Sequence, residues 1–515
     1  MQKKWRLFFS NAIMLSVVNI IMRGIAVSFN SYVNIKIGAE SMGLFTLVMS
    51  VYGFAVTVAL SCVNLASVRH TSERCAALEG ADKQSWKYAM RKVVKSVCVY
   101  SLLFGVSSAV VLYFSSGIIA KLLLNDVRTL KSLKILAFSL PAISLSSALS
   151  GYFTGLRKVV KNAVVAISEQ FIKILVTSTA LVFILPGNVE NACLAVVGGS
   201  AIAEAWSLVV NVVMYIFDSG KPVGAVYGSR RVRLDTRFRS TADISLPSAV
   251  GTYARQGLTT LEHLAIPRGM MRGGISKEAA LSSYGLLQGI AFPLVMFPYA
   301  IITSFTSLLL PEIAEQHERT NTEGIKNLTL QAYKYSAVFS IGACGIFVNF
   351  ANELGTMVFR STEAARYTLL LGLLVPFMYL DTAVDSLLKG LGEQVYTMKI
   401  NIVDAASGLV LVILLTPKLG IYGYILTIWL CEVGNLWASI SRLSEVTGIG
   451  VGDAVGQYVK PIFCCLIMSI VITVMKSMLD PIILIILFAA GYILLSQYGD
   501  IRSIKRRKIN ARGIN

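Results

Sequence analysis

The chain has 515 residues, 55% hydrophobic and only 15% charged, with a formal net charge of +19 and a mean hydropathy of +0.67. A soluble domain carries about 25% charged residues, and near-continuous apolar runs exclude the array of soluble domains that the length alone would suggest. Eight cysteines without a C-x-x-C spacing exclude a disulfide frame or a zinc ribbon and read as small core residues.

The first apolar run follows Lys3, Lys4 and Arg6. It is too long for a signal peptide and lacks a small-residue cleavage site, so it reads as a retained helix. A spanning helix needs about 20 mostly apolar residues. Fourteen candidates follow in order, centred near Ile21, Tyr52, Leu103, Ile143, Leu175, Ala205, Thr252, Pro293, Ile341, Phe377, Leu409, Ile428, Ile467 and Ile486. Basic residues mark the cytoplasmic side. With the amino terminus inside, 32 of the 47 Lys and Arg fall in cytoplasmic segments, 12 on the opposite side and three in the membrane. Both termini are therefore expected in the cytoplasm of a multi-pass protein of the cell membrane. The same basic loops account for the net charge, facing anionic lipid. The tail from Ile501 to Lys508 reads as a basic juxtamembrane anchor, because no aromatic stacking platform or nucleic-acid motif accompanies it.

Several polar residues interrupt the spans. Arg23 lies in the first and Arg255 in the seventh. A guanidinium near the bilayer centre costs at least about 2.5–3.5 kcal/mol and normally faces a protein interior or an aqueous cavity. Each could instead pair with a carboxylate such as Glu169 or Glu262, or snorkel to a boundary. Lys173 follows Glu169 by four residues, a spacing that suits either a local salt bridge or a cavity role. Acidic residues gather in the second half: Asp243 opens span seven, Asp381 and Asp385 share one side of span ten, and Asn401 and Asp404 lie on span eleven. Oxygen ligands of this kind suit a hard cation. Asp385 could equally pair with Lys389. Pro141, Pro293, Pro298 and Pro376 lie within spans and are expected to kink them, for lobe bending or for packing alone.

An internal duplication organises these elements. Leu140–Leu156 aligns without gaps to Val375–Leu391, with Pro141 on Pro376 and Gly155-Leu156 on Gly390-Leu391, a shift of 235 residues. A shift of 242 sets Gly43-Leu44 on Gly285-Leu286, and one of 232 sets Arg23 on Arg255. The expected fold is an all-α integral membrane protein of about fourteen transmembrane helices. Residues 1–217 form an N-lobe (spans one to six), 218–240 a basic loop, and 241–442 a C-lobe (spans seven to twelve). Two added spans occupy 457–498 and a basic tail 499–515. Six spans per repeat is an even number, so the lobes are parallel, related by an axis along the membrane normal, with substrate expected at their interface.

The run Lys36-Ile-Gly-Ala-Glu-Ser-Met-Gly-Leu-Phe45 resembles the "lGaegmGlf" motif of stage V sporulation protein B and related polysaccharide exporters. Ser150–Leu156 resembles their "rGyfqGl" motif, Ala291–Pro298 with Leu308–Glu315 their eighth span, and Gly420–Tyr424 the turn before their twelfth. The similarity covers nearly the whole chain. The superfamily holds lipid II flippases, undecaprenyl-linked oligosaccharide flippases and multidrug–cation antiporters. The resemblance implies two six-helix lobes, alternating access and two extra helices associated with the lipid tail. It also implies a position resembling Arg23 among cavity arginines, and a sodium site in the second lobe that Asp243, Asn401 and Asp404 loosely resemble.

The expected function is a flippase for an undecaprenyl-diphosphate-linked glycan such as lipid II. Arg23, Arg255 and Lys173 would bind substrate, because guanidinium forks hold phosphate oxygens in pairs. Asp243, Asp381, Asp385, Asn401 and Asp404 would couple Na+ or H+, with no further cofactor or metal. Expected partners are a polyprenyl-diphosphate-linked glycan, membrane lipids and cell-wall synthesis proteins, and no nucleic acid. A cation antiporter of the same superfamily is the nearer rival, set back by a first span that holds Arg23 and no carboxylate. A membrane enzyme is the farther one: the chain has three histidines, no H-E-x-x-H or G-x-S-x-G motif, and no sizeable outer loop.

Overall fold

The computed structural model describes residues 2–77, 83–183, 189–218, 238–359 and 361–512. Every regular element among the described residues is helical. In chain order these are α1 (Gln2–Leu60), α2 (Val63–Ala77), α3 (Lys83–Ile118), α4 (Leu130–Gly155), α5 (Val159–Phe183), α6 (Val189–Ile216), α7 (Phe238–Arg272) and α8 (Lys277–Leu286). Then come α9 (Phe292–Val295), α10 (Tyr299–Glu318), α11 (Thr322–Phe359), α12 (Thr362–Gly372), α13 (Val375–Gly390), α14 (Gln394–Leu419), α15 (Ile421–Thr447), α16 (Val451–Met475) and α17 (Pro481–Arg512). Single π-helical turns follow α3 at Ile119–Leu123 and α8 at Leu287–Ala291. The protein is thus an all-α, multi-pass membrane protein. By length and composition, eight described helices can cross a membrane, or up to ten if each of two bent pairs is one span. The sequence count of about fourteen differs because it splits α1 into two passes and also counts α7, α15 and α17. Most of the basic loop (219–237) lies outside the described residues, as do the side chains of the tail.

Helix contacts divide the chain into two compact units: residues 1–285 with 405–423, and residues 286–404 with 424–515. In the first unit, α1 breaks at Gly38, where φ is +80°, a value that glycine adopts without a Cβ penalty. Phe29 and Val33 before the break pack in one cluster with Met42 and Phe45 after it. A straight helix would hold Phe29 and Phe45 about 24 Å apart at 1.5 Å per residue, so the chain doubles back at Gly38. A second break follows at Ser61 and Cys62, both left-handed with φ of 41° and 54°. Tyr253 of α7 donates to Ser61 Oγ at 2.7 Å, and Tyr100 of α3 lies 2.9 Å from the same oxygen. These tyrosines hold a conformation that L-residues rarely take.

Two glycines set a close crossing of α1 and α8. A Cβ on Gly43 would sit 2.0 Å from the Leu281 carbonyl oxygen, and one on Gly285 would sit 2.3 Å from that of Ala39. Ala39 plus 242 is Leu281, and Gly43 plus 242 is Gly285, the same shift that aligns these segments in sequence. The contact is therefore reciprocal between repeat-equivalent positions, as at a two-fold axis.

In the second unit, α10, α11, α13 and α15 enclose Ile313, Tyr333, Leu387 and Leu443. The added helices pack on α11, α17 through Phe488 and Tyr492, which occupy the space that side chains on Gly345 and Gly342 would need, and α16 through Cys465 beside Gly345. In lipid such association rests on close contact, not on expelled water, so small residues at the crossing are what permit it. Three of the four span prolines stand at helix starts: Pro293 at α9, Pro298 before α10 and Pro376 at α13. α12 and α13 meet at a bend of 48° just before Pro376. Pro141 sits inside α4, which continues through it.

Candidate functional site

The first unit carries a belt of polar side chains within its apolar helices. Tyr52 of α1, 2% exposed, donates through Oη to Glu204 Oε2 of α6 at 2.5 Å and lies 2.6 Å from Ser139 Oγ of α4. Lys173 of α5 is half-buried and feels both Glu204 and Glu169 electrostatically, yet it closes no ion pair among the described residues. Glu169 is hydrogen-bonded to Ser207 instead. Ser207 lies 3.1 Å from Ser146 Oγ, which accepts from Asn211 Nδ2 at 2.7 Å. The salt bridge that the four-residue spacing of Glu169 and Lys173 allowed is therefore open, and the ammonium stands between two carboxylates from different helices.

The same belt continues onto α7. A Cβ on Gly53, beside Tyr52, would lie 3.6 Å from Gln256, next to Arg255. Thr260 of α7 donates to the Ser50 carbonyl at 3.2 Å. Arg255 is exposed and closes no ion pair among the described residues. Arg23 is half-buried and engaged by neighbouring groups. Arg23 and Gly53 stand 15 residues to either side of the Gly38 reversal. Equal steps along two antiparallel arms give equal depth, about 22 Å from the turn at 1.5 Å per residue. Counting thus sets both arginines in the layer of Tyr52. Glu262 turns to α14, where its carboxylate lies 3.1 Å from the Cβ position of Gly408. Tyr52, Ser139 and Glu204 were not among the expected site residues. The available signal was Glu204, a lone carboxylate in the middle of a 28-residue apolar helix.

At the Gly38 end, Asp126 ties several elements together. Its side chain is 3% exposed and bonded by Arg128 Nη2 at 2.7 Å and Lys277 Nζ at 3.0 Å. Lys277 also donates to the Asn125 carbonyl at 2.9 Å, and Arg128 reaches Glu40 at 3.1 Å. Burial alone would raise the Asp126 carboxyl, but the bonds from Arg128 and Lys277 outweigh it and hold the group below the ordinary carboxylate range.

In the second unit, Asp381 accepts from Asn435 Nδ2 at 3.1 Å and faces Asp385 and Asp404 electrostatically. Asp385 pairs with Lys389 at 3.2 Å, the alternative its spacing allowed. Asn401 donates to the Thr397 carbonyl of its own helix at 2.7 Å. The Asp243 side chain lies outside the described residues. No group of three His, Cys, Asp or Glu converges to hold a metal among the described residues. Asp385 and Asp404 both act on Asp381 as like charges.

The chain matches the family described as Polysaccharide biosynthesis protein over residues 8–317. It is similar to Stage V sporulation protein B of Bacillus subtilis (strain 168), 24% identical over 394 residues, which cover 76% of this chain and 75% of that protein. Among solved structures it resembles the lipid II flippase MurJ in its inward closed conformation, with a TM-score of 0.68 at 14% identity, covering 96% of this chain and all of that one. An inward-facing multidrug resistance MATE family transporter matches with a TM-score of 0.59 at 14% identity, over 85% of this chain and 96% of that one. The helical fold and the family match agree: the chain belongs to the polysaccharide biosynthesis protein family and shares its fold with the lipid II flippase MurJ and with MATE family transporters.

Proposed function

We propose that the protein flips a polyprenyl-diphosphate-linked glycan precursor, lipid II or a related lipid-linked oligosaccharide, across the cytoplasmic membrane by alternating access. The observation that carries this reading is the pair of arginines at one depth in the first unit, beside a belt that also holds Lys173. Arg23 and Arg255 would grip the diphosphate, and Lys173 would add a third positive charge. Guanidinium–phosphate contacts are charge-assisted and often bidentate, and the permanent charge needs no proton. In this reading residues 1–217 and 241–442 act as the two lobes, and both termini lie in the cytoplasm. Asp381, Asp385 and Asp404, with Asn401 and Asp243, couple transport to Na+ or H+. The similarity to a stage V sporulation protein extends the proposal to cell-wall synthesis during sporulation, with cell-wall synthesis proteins as partners.

Cation antiport is a second reading, favoured by Glu169 and Glu204 in the first unit. Reconstitution into liposomes separates the two. Inward-to-outward movement of a lipid-linked sugar diphosphate supports the flippase; efflux of an organic cation without it replaces that reading with the antiporter.

A further inference from the structure

The carboxy-terminal third of α7 borders a groove of about 260 Å³ that the transport reading leaves unused. Leu264 and Ala265 of α7, Leu123 of the π-helical turn, and Leu409 and Ile413 of α14 form its walls. Its shape follows from the glycines just beyond it. A Cβ on Gly269 would sit 1.8 Å from Thr416 Oγ1, and one on Gly273 would sit 2.3 Å from the Pro417 carbonyl oxygen. The two helices therefore touch there and leave a gap one or two turns earlier, where their side chains are larger. Ile413 is 45% exposed, so the groove is open at the surface of the first unit.

Arg268 and Arg272 close one end of the groove, and among the described residues no acidic side chain lines it. They follow Leu264 and Ala265 at helical spacing, so the apolar stripe of α7 runs directly into a basic one. The two guanidinium groups repel one another. Arg268 is held by the carbonyls of Leu122 and Leu123, while Arg272 is exposed. Asp126, three residues beyond Leu123, is bonded to Arg128 and Lys277.

An apolar trough that ends in two like charges matches an amphipathic anion. We infer that this groove binds an anionic phospholipid of the leaflet at the Gly38 end, with the lipid phosphate between Arg268 and Arg272 and part of one acyl chain along Leu264, Leu409 and Ile413. The volume falls just below the range of about 300–1,000 Å³ typical of a pocket for a whole small ligand. It suits a section of an acyl chain, not a sugar or a complete polyprenyl tail. The bound lipid would brace α7 against α14.

The test uses the purified full-length protein in neutral detergent. Native mass spectrometry and thermal unfolding are read with added phosphatidylglycerol, with phosphatidylcholine and with soluble glycerol phosphate. Phosphatidylglycerol is expected to bind more tightly than phosphatidylcholine and to raise the unfolding midpoint further; glycerol phosphate is expected to do neither. Arg272→Gln should reduce that selectivity about fivefold, the worth of one basic side chain near an anionic headgroup. Ala265→Phe should block the trough and weaken binding of both lipids while circular dichroism stays unchanged. Equal binding of the two lipids overturns the inference. So does selectivity that survives both substitutions, which would assign it to the overall positive charge, or a full response to glycerol phosphate alone.

Discussion

In the first unit Lys173 stands between Glu169 and Glu204, and Tyr52 and Ser139 take up the hydrogen bonding at Glu204; in the second, Asp381 faces Asp385 and Asp404, and Lys389 is bonded to Asp385. Both are polar sites inside apolar helices, but the first mixes signs and adds two arginines, whereas the second is a concentration of one sign. A mixed site can hold itself together when empty and still admit an anion. A single-sign site holds potential that a small cation or proton would discharge. The contrast is that the two units carry opposite electrostatic character inside similar apolar helices.

The largest expected effect tests the anion side. Replacing Arg23 and Arg255 together with alanine should lower lipid-linked sugar flipping about 100-fold or more, since each charge-assisted bond contributes about 1.5–3 kcal/mol. Reconstituted flipping measures this, with membrane insertion checked separately; unchanged activity removes the arginines from the site. Next, Glu204→Ala deprives Tyr52 of its acceptor and Lys173 of a counter-charge. A loss of about 1–3 kcal/mol is expected, read as a lower thermal midpoint, with Glu204→Gln recovering most of it. If alanine and glutamine behave alike, the Tyr52 bond is not what holds the belt.

Asp126 provides a carboxylate whose charge is fully compensated, unlike Asp381. Its folded carboxyl titrates below the ordinary value of about 3.9. It therefore contributes stability above that value, lost as pH falls through the lower folded value. Asp126→Asn should cost about 1–2 kcal/mol at neutral pH and converge with the parent protein in acid, seen in thermal midpoints across pH. A constant gap at all pH would mean that the charge is irrelevant. The smallest effect is expected at Asp381→Asn, which relieves like-charge repulsion and should change stability by no more than about 1 kcal/mol while abolishing any Na+ or pH dependence of flipping. Persistence of that dependence separates coupling from this cluster.

Hydropathy located the helices well, because a backbone in lipid must satisfy its own hydrogen bonds and so stays helical through each apolar run. Each of the fourteen expected centres falls inside a described helix. What composition does not reveal is where helices bend or stop being separate. The break at Gly38 falls between the spans expected at Ile21 and Tyr52, whereas the Ser61–Cys62 break has no hydropathy signal and shows only in its φ values. The site was legible residue by residue but not as pairs. Lys173, Arg23 and Arg255 stand out as charges in apolar runs. Tyr52 and Glu204 are 152 positions apart, and nothing local announces that they meet. The Glu169–Lys173 spacing left two readings open for the same reason: a helix permits that pair, but Ser207 from another helix offers Glu169 a different partner.

The crossing of Gly43 and Gly285 has an evolutionary consequence. Each glycine meets the other arm's main chain, Leu281 on one side and Ala39 on the other. A larger residue on either side could not be accommodated by trimming a side chain opposite, since there is none to trim. Elsewhere the matching segments are free to differ in length and charge, as their unequal offsets of 232, 235 and 242 residues show. At this point neither copy could change without the other losing its fit, so the oldest symmetry of the gene should survive longest where the chain touches its own repeat.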